Sequence, residues 1–320
     1  MRLTLGLFRE TPYVVEVSGT VLRQMCSLRF SLALLLAATN LGTTSAIAGS
    51  VERGEYIFKI AGCLACHTAK DDGAAALAGR HEFKTAYGTF YSPNITPDES
   101  TGIGAWTLEE FDAALRRGKR PQGGNYYPVF PYTSYTKMHD DDVADLFAYL
   151  RSRKPVEQEN REHELLAPFS WRWLNGPWKA MFFEPGSFRP RQDKSEAWNR
   201  GAYIATALAH CAECHSPRGL AGATDTGRFL AGNPIGPDGG YVPNITPHAD
   251  AWIRDWGKGD IAIYLETGEL PDSDYAGGAM AEVIDNGLAF LTQPDMAALV
   301  EFIATLKPLP STRDPSSDSD

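Results

Sequence analysis

Cys63-Leu64-Ala65-Cys66-His67 and Cys211-Ala212-Glu213-Cys214-His215 are two copies of one pattern, C-x-x-C-H, and they decide how this chain is read. Two thiols three positions apart on one helical turn can each add across a vinyl group on one edge of a porphyrin. The histidine that follows then brings its imidazole under the iron. Competing chemistries need something else. A redox dithiol has no use for a histidine directly after both copies. A zinc site would have to draw on both pairs at once, although each already has its own histidine. A disulfide closing so short a loop would be strained. The pattern predicts two covalently bound haems c, with Cys63, Cys66, Cys211 and Cys214 as attachment points and His67 and His215 as proximal iron ligands.

Outward from the motifs, the chain repeats itself. Arg53-Gly54-Glu55-Tyr56-Ile57 upstream of the first is answered by Arg200-Gly201-Ala202-Tyr203-Ile204 upstream of the second. Downstream, Pro93-Asn94-Ile95-Thr96-Pro97 is answered by Pro243-Asn244-Ile245-Thr246-Pro247. Trp106 and Trp256 follow the two asparagines by the same twelve residues, and Gly118 and Gly268 follow by twelve more, each closing a helical stretch. Equal spacing around both motifs marks a duplicated unit. Each copy ends in apolar residues at helical spacing, 142–150 and 295–303, with carboxylates in the first turn where the helix dipole favours them.

The 320 residues leave room for two such units, and 43% hydrophobic with 22% charged residues is the composition of a soluble globular protein. A net charge of −10 with no basic stripe argues against nucleic acid as a partner. Near the N-terminus Arg29 precedes the apolar run 30–38, which is too short to span a bilayer, and Ala46-Ile47-Ala48 is a cleavage site of A-x-A type. The reading is an exported, periplasmic protein whose mature chain begins near Gly49; because the first 24 residues lack signal character, Met25 is a candidate translation start in place of Met1. Cys26 falls in the signal, so four of the five cysteines remain and all four lie in the motifs. The expected organisation is a signal region over 1–48, a first domain over 49–155, an aromatic linker over 156–190, a second domain over 191–308 and a disordered tail over 309–320. The linker residues Trp171, Trp173, Trp178, Phe182 and Phe183 are expected either to pack between the domains or to form a docking surface.

A haem that only carries electrons has both axial positions filled, commonly by histidine and methionine. Met138 and Met280, each standing before the last helix of its repeat, are the candidate sixth ligands. Met296 falls inside a helix and Met181 in the linker, while His81 and His139 are rivals without a counterpart in the second copy.

With these segments in place, the chain resembles the cytochrome c subunits of bacterial membrane-bound alcohol and gluconate dehydrogenases, from about residue 53 to 306. The likeness is carried by Tyr91-Ser92-Pro93-Asn94-Ile95-Thr96-Pro97, Thr101-Gly102-Ile103-Gly104-Ala105-Trp106, Trp198-Asn199-Arg200-Gly201-Ala202-Tyr203 and Met280-Ala281-Glu282-Val283-Ile284. The resemblance implies an all-α chain of two tandem class I-type cytochrome c domains, with Met138 and Met280 as axial ligands. It further implies an electron-transfer protein rather than an enzyme. Electrons would come from a catalytic dehydrogenase subunit and pass to a respiratory acceptor (quinone, cytochrome or oxidase), with peripheral membrane association through the assembly. Those subunits carry three C-x-x-C-H segments against two here, which points to a shorter, soluble shuttle or to a two-haem partner of some other dehydrogenase. The alternative is a two-haem cytochrome c peroxidase, for which His81 would be the residue near peroxide.

Overall fold

The computed structural model describes residues 49–236 and 239–312. The predicted signal, Met25, Cys26 and the end of the predicted tail lie outside the described residues. The first repeat opens with α1 (Val51–Ile60), capped by Ser50, whose hydroxyl accepts from the Arg53 amide at 3.2 Å. Gly62, left-handed at φ 64°, turns the chain into the short α2 (Cys63–His67). A hairpin of β1 (Glu82–Thr85) and β2 (Gly88–Tyr91) precedes α3 (Leu108–Arg117), the single turn α4 (Tyr132–Tyr135) and α5 (Asp140–Arg151). The connection contributes β3 (Glu164–Leu165) and α6 (Asn175–Phe182). The second repeat runs through α7 (Glu196–Tyr203), a π turn (Ile204–Leu208), α8 (Ala212–His215), α9 (Lys258–Thr267), α10 (Gly278–Asn286) and α11 (Gln293–Ala304). α3 and α9 stop at Gly118 and Gly268, both left-handed, the conformation that frees a helix C-terminus from Cβ strain.

In each repeat the first and last helices cross at a glycine. A Cβ on Gly54 would lie 1.9 Å from the Asp145 carbonyl oxygen, and one on Gly201 would lie 1.9 Å from that of Ala298. No side chain fits there, which explains the repeated R-G-x-Y. The arginine before each glycine reaches the partner helix. Arg53 pairs with Asp142 at 2.8 Å and Asp145 at 2.7 Å, and Arg200 pairs with Asp295 at 2.6 Å.

The tyrosine two residues after each glycine crosses to the other repeat instead. Tyr56 donates to Asp295 Oδ2 at 2.6 Å, and Tyr203 donates to Asp142. The contacts are reciprocal, as across a two-fold axis, so the two repeats bind like a covalently joined dimer. Burial and the Asp295 carboxylate push the Tyr56 phenol up to about 12, which keeps it a donor. Burial would raise the Asp295 pKa, but hydrogen bonds from Arg200 and Tyr56 outweigh it and hold the carboxyl below its ordinary 3.8. A carboxylate with a depressed pKa stabilises the fold above its unfolded pKa, and that contribution is lost as pH falls through the folded value. Asp295→Asn is therefore expected to cost about 2 kcal/mol at neutral pH, discounted for the exposure of Arg200, and to flatten the loss of stability below about pH 4. Denaturant unfolding across pH measures both.

The second repeat has one residue more between Tyr203 and Cys211 than the first has between Tyr56 and Cys63. The π turn absorbs it, widening one helical turn so that the attachment motif keeps its place. His210 then takes the left-handed position (φ 40°) that Gly62 holds in the first repeat.

The all-α expectation needs correcting. β1, β2 and β3 form a three-stranded antiparallel sheet, with Phe83 opposite Phe90 and Thr89 opposite Glu164. The β-branched and aromatic residues of 83–91 suit strands, but their turn carries no Asn-Gly or Asp-Gly, so the hairpin is hard to see in sequence. The ends of both repeats also run on. Val156, Gln158 and Asn160 hydrogen-bond back onto the first repeat, and 309–312, expected in a disordered tail, are tied to the second by Asn244, Asp250 and Ala231. Buried asparagine amides need acceptors, and these segments supply them. The linker aromatics divide their roles. Trp178 Nε1 donates to the Ala221 carbonyl at 2.8 Å and Phe183 packs edge-on against Tyr132, whereas Trp171 and Trp173 are exposed. No helix among the described residues is long and apolar enough to cross a membrane.

Candidate haem-binding sites

His67 ends α2 and His215 ends α8, and their rings are held in one way. His67 Nδ1 lies 2.8 Å from the Pro93 carbonyl oxygen, and His215 Nδ1 lies 2.8 Å from that of Pro243. A proline carbonyl can only accept, so Nδ1 carries the proton and the Nε2 lone pair is left for a metal. Burial, the largest influence on both rings, lowers their pKa and keeps them neutral. Burial also pushes the Cys63 thiol up to about 12 and the Cys211 thiol up to about 11. That is the opposite of the depressed pKa on which a thiol–disulfide catalyst depends.

The repeated Pro-Asn-Ile-Thr-Pro holds these carbonyls still. Asn94 Oδ1 accepts from the Thr96 amide at 2.9 Å, while Asn94 Nδ2 donates to the Val156 carbonyl at 2.8 Å. Asn244 does the same with the Thr246 amide at 2.8 Å and the Leu309 carbonyl at 2.8 Å. Both asparagines are buried, so each fixes the loop that aims the preceding proline at the histidine.

Sequence reasoning missed a second device. Gly79 N and Gly232 N donate to the His67 and His215 carbonyls, each at 2.8 Å. A Cβ on Gly79 would fall 2.5 Å from the Pro93 carbonyl carbon. Leu77 and Leu230, two residues before these glycines, both have positive φ. The signal was a Leu-Ala-Gly triplet in each copy, masked because the two triplets stand at different distances from their histidines.

Met138 is fully buried in the turn between α4 and α5, its amide bonded to the Tyr135 carbonyl and its own carbonyl held by Arg116. Met280 is half-buried in the first turn of α10. The two methionines precede the last helix of their repeats but sit on different local structures. Met296 is buried within α11 and Met181 is exposed. His139 stacks on Tyr203 with ring centroids 4.4 Å apart. His81 packs on Phe83, and its Nδ1 lies 3.3 Å from the Thr68 carbonyl, beside the proximal histidine. Nothing in that placement favours the peroxidase alternative.

Twice over, then, a pair of cysteines at a short helix is followed by a neutral imidazole whose Nδ1 is committed to a proline carbonyl. Such sites on duplicated helical units define a covalent-haem protein of cytochrome c type. The chain belongs to the cytochrome c family, which it matches over residues 51–154 and 199–307, and it binds two haems c covalently, with iron. It is 42% identical over 260 residues to a diheme cytochrome c-type protein of Cereibacter sphaeroides, covering 80% of this chain and 86% of that one. It is 38% identical over 293 residues to the fructose dehydrogenase cytochrome subunit of Gluconobacter japonicus, covering 89% of this chain and 60% of that one. It is 36% identical over 298 residues to the cytochrome c subunit of an alcohol dehydrogenase (quinone) of Gluconacetobacter polyoxogenes, covering 88% and 63%. The match thus spans about three-fifths of the two dehydrogenase subunits. The resemblance read from the sequence is met.

Proposed function

We propose that the chain is a periplasmic electron-transfer protein that accepts electrons from a partner dehydrogenase and hands them to a respiratory acceptor, a quinone, a cytochrome or an oxidase. The observation that carries this reading is the duplicated histidine–proline clamp. Each imidazole is fixed in orientation by the hydrogen bond from its Nδ1 to a proline carbonyl, so little around the iron has to move when its charge changes. The bound haem supplies reversible one-electron chemistry. His67 and His215 provide one axial nitrogen each, and Met138 and Met280 are proposed as the opposite sulfur ligands. Relatives named as cytochrome subunits of fructose and alcohol dehydrogenases support a dehydrogenase as donor, and peripheral membrane contact would follow from such an assembly. Export is proposed from the signal-like N-terminus.

The test is to produce the chain together with candidate dehydrogenase subunits and to add each enzyme's substrate. Both haems are expected to become ferrous. A chain that stays ferric while the enzyme reduces an artificial acceptor would sink the proposal.

A further inference from the structure

The two attachment motifs are neighbours across the repeat interface. The Tyr135 hydroxyl donates to the Ala61 carbonyl at 3.0 Å, two residues before Cys63. Its ring meets His210, the residue before Cys211, edge-on with centroids 5.4 Å apart. Beside this contact lies Glu213, inside the second motif. It accepts from Thr133 Oγ1 at 3.0 Å and Ser134 Oγ at 2.7 Å, both in the first repeat, and from Arg218 Nη2 at 2.6 Å. At the matching place in the first motif stands Ala65. On the opposite side of the pseudo-axis, Lys70 pairs with Glu282 of α10 at 2.7 Å, so each repeat reaches the other's attachment segment.

We infer that Glu213 is a positioning residue: it clamps the second attachment motif to the first repeat and holds a fixed negative charge beside the second haem, making that haem the harder of the two to reduce. Ferric iron carries one positive charge more than ferrous, so a nearby carboxylate favours the ferric state. Arg218 offsets the charge only in part. Its side chain is 32% exposed and screened by water, whereas that of Glu213 is 13% exposed. In the first motif Ala65 takes this place, and the carboxylate that acts on Cys66, Glu282, is half exposed and paired with Lys70. The second repeat then becomes the internal donor and the first the internal acceptor. One electron passes from ferrous iron in one to ferric iron in the other, and no proton or further reactant is consumed. Holding the motifs together through Tyr135, His210, Thr133, Ser134 and Glu213, with Lys70 and Glu282 on the other side, makes this exchange independent of domain motion.

The inference rests on both haems being present, so haem content is checked first, and a loss of haem is distinguishable from a change in potential. The experiment is a potentiometric titration of the holoprotein followed by its visible bands, for the wild type, Glu213→Gln and Arg218→Gln. Glu213→Gln is expected to raise one potential, changing the ferrous-to-ferric ratio at a fixed poise by about tenfold, or 59 mV for one electron, while the other potential moves less. Arg218→Gln is expected to lower that same potential. A general loosening of the interface would move both variants in one direction. Shifts of the same sign in the two variants, equal shifts of both potentials, or no shift would each overturn the inference.

Discussion

Replacing Cys211 and Cys214 together with alanine is expected to leave a chain with one covalently bound haem, and the remaining haem is that of the first repeat. Each repeat holds a complete attachment set of two thiols, a histidine and the proline carbonyl that orients it, and none is shared. A pyridine haemochrome assay should fall to about half the wild-type haem per protein, with the residual haem resisting acid acetone. The intact mass of the purified protein counts the haems independently and tests the proposed mature start near Gly49. Loss of both haems, or retention of both, would contradict the assignment. The variant should also unfold more easily. The second repeat loses a group that binds only its folded state, and with it that share of stabilisation.

Met138→Ala and Met280→Ala should each remove about half of the weak far-red iron–sulfur absorption of the oxidised protein, and Met296→Ala should leave it intact. Met138 is enclosed among apolar side chains and cannot be replaced by another sulfur, because Met296 is packed within its own helix. The Met138 variant creates a buried cavity, so its cost in stability is expected at about 3 kcal/mol. Met280, half-buried in the first turn of α10, should cost less in packing while losing as much absorption. If either variant kept the full band, its methionine would not be a ligand, and His81 or His139 would have to be tested in its place.

The attachment chemistry, the haem count and the duplication were legible along the chain because they are local. Five consecutive residues carry the covalent chemistry, and equal spacing around them exposes the repeat without any knowledge of packing. Gly118 and Gly268 were readable for the same reason, since a helix stop depends on the backbone freedom of one residue. The hairpin at residues 82–91 was not readable, because its strands are short and its turn lacks the residues that announce one. Nor was the purpose of Pro-Asn-Ile-Thr-Pro, which repeats visibly but acts through a carbonyl that every residue possesses.

Pairing across the interface belongs wholly to the folded protein. Tyr56 and Asp295 are 239 positions apart, and Glu213 meets Ser134 across 79. No period or motif links such residues. They meet because Gly54 and Gly201 let paired helices touch, which turns the tyrosines of R-G-x-Y towards the opposite repeat. Sequence pattern records what each segment is able to do by itself. Which segments become neighbours is decided by burying the two repeats against each other, and that burial seated Glu213, which Ala65 replaces in the first motif, against Thr133 and Ser134 of the opposite repeat.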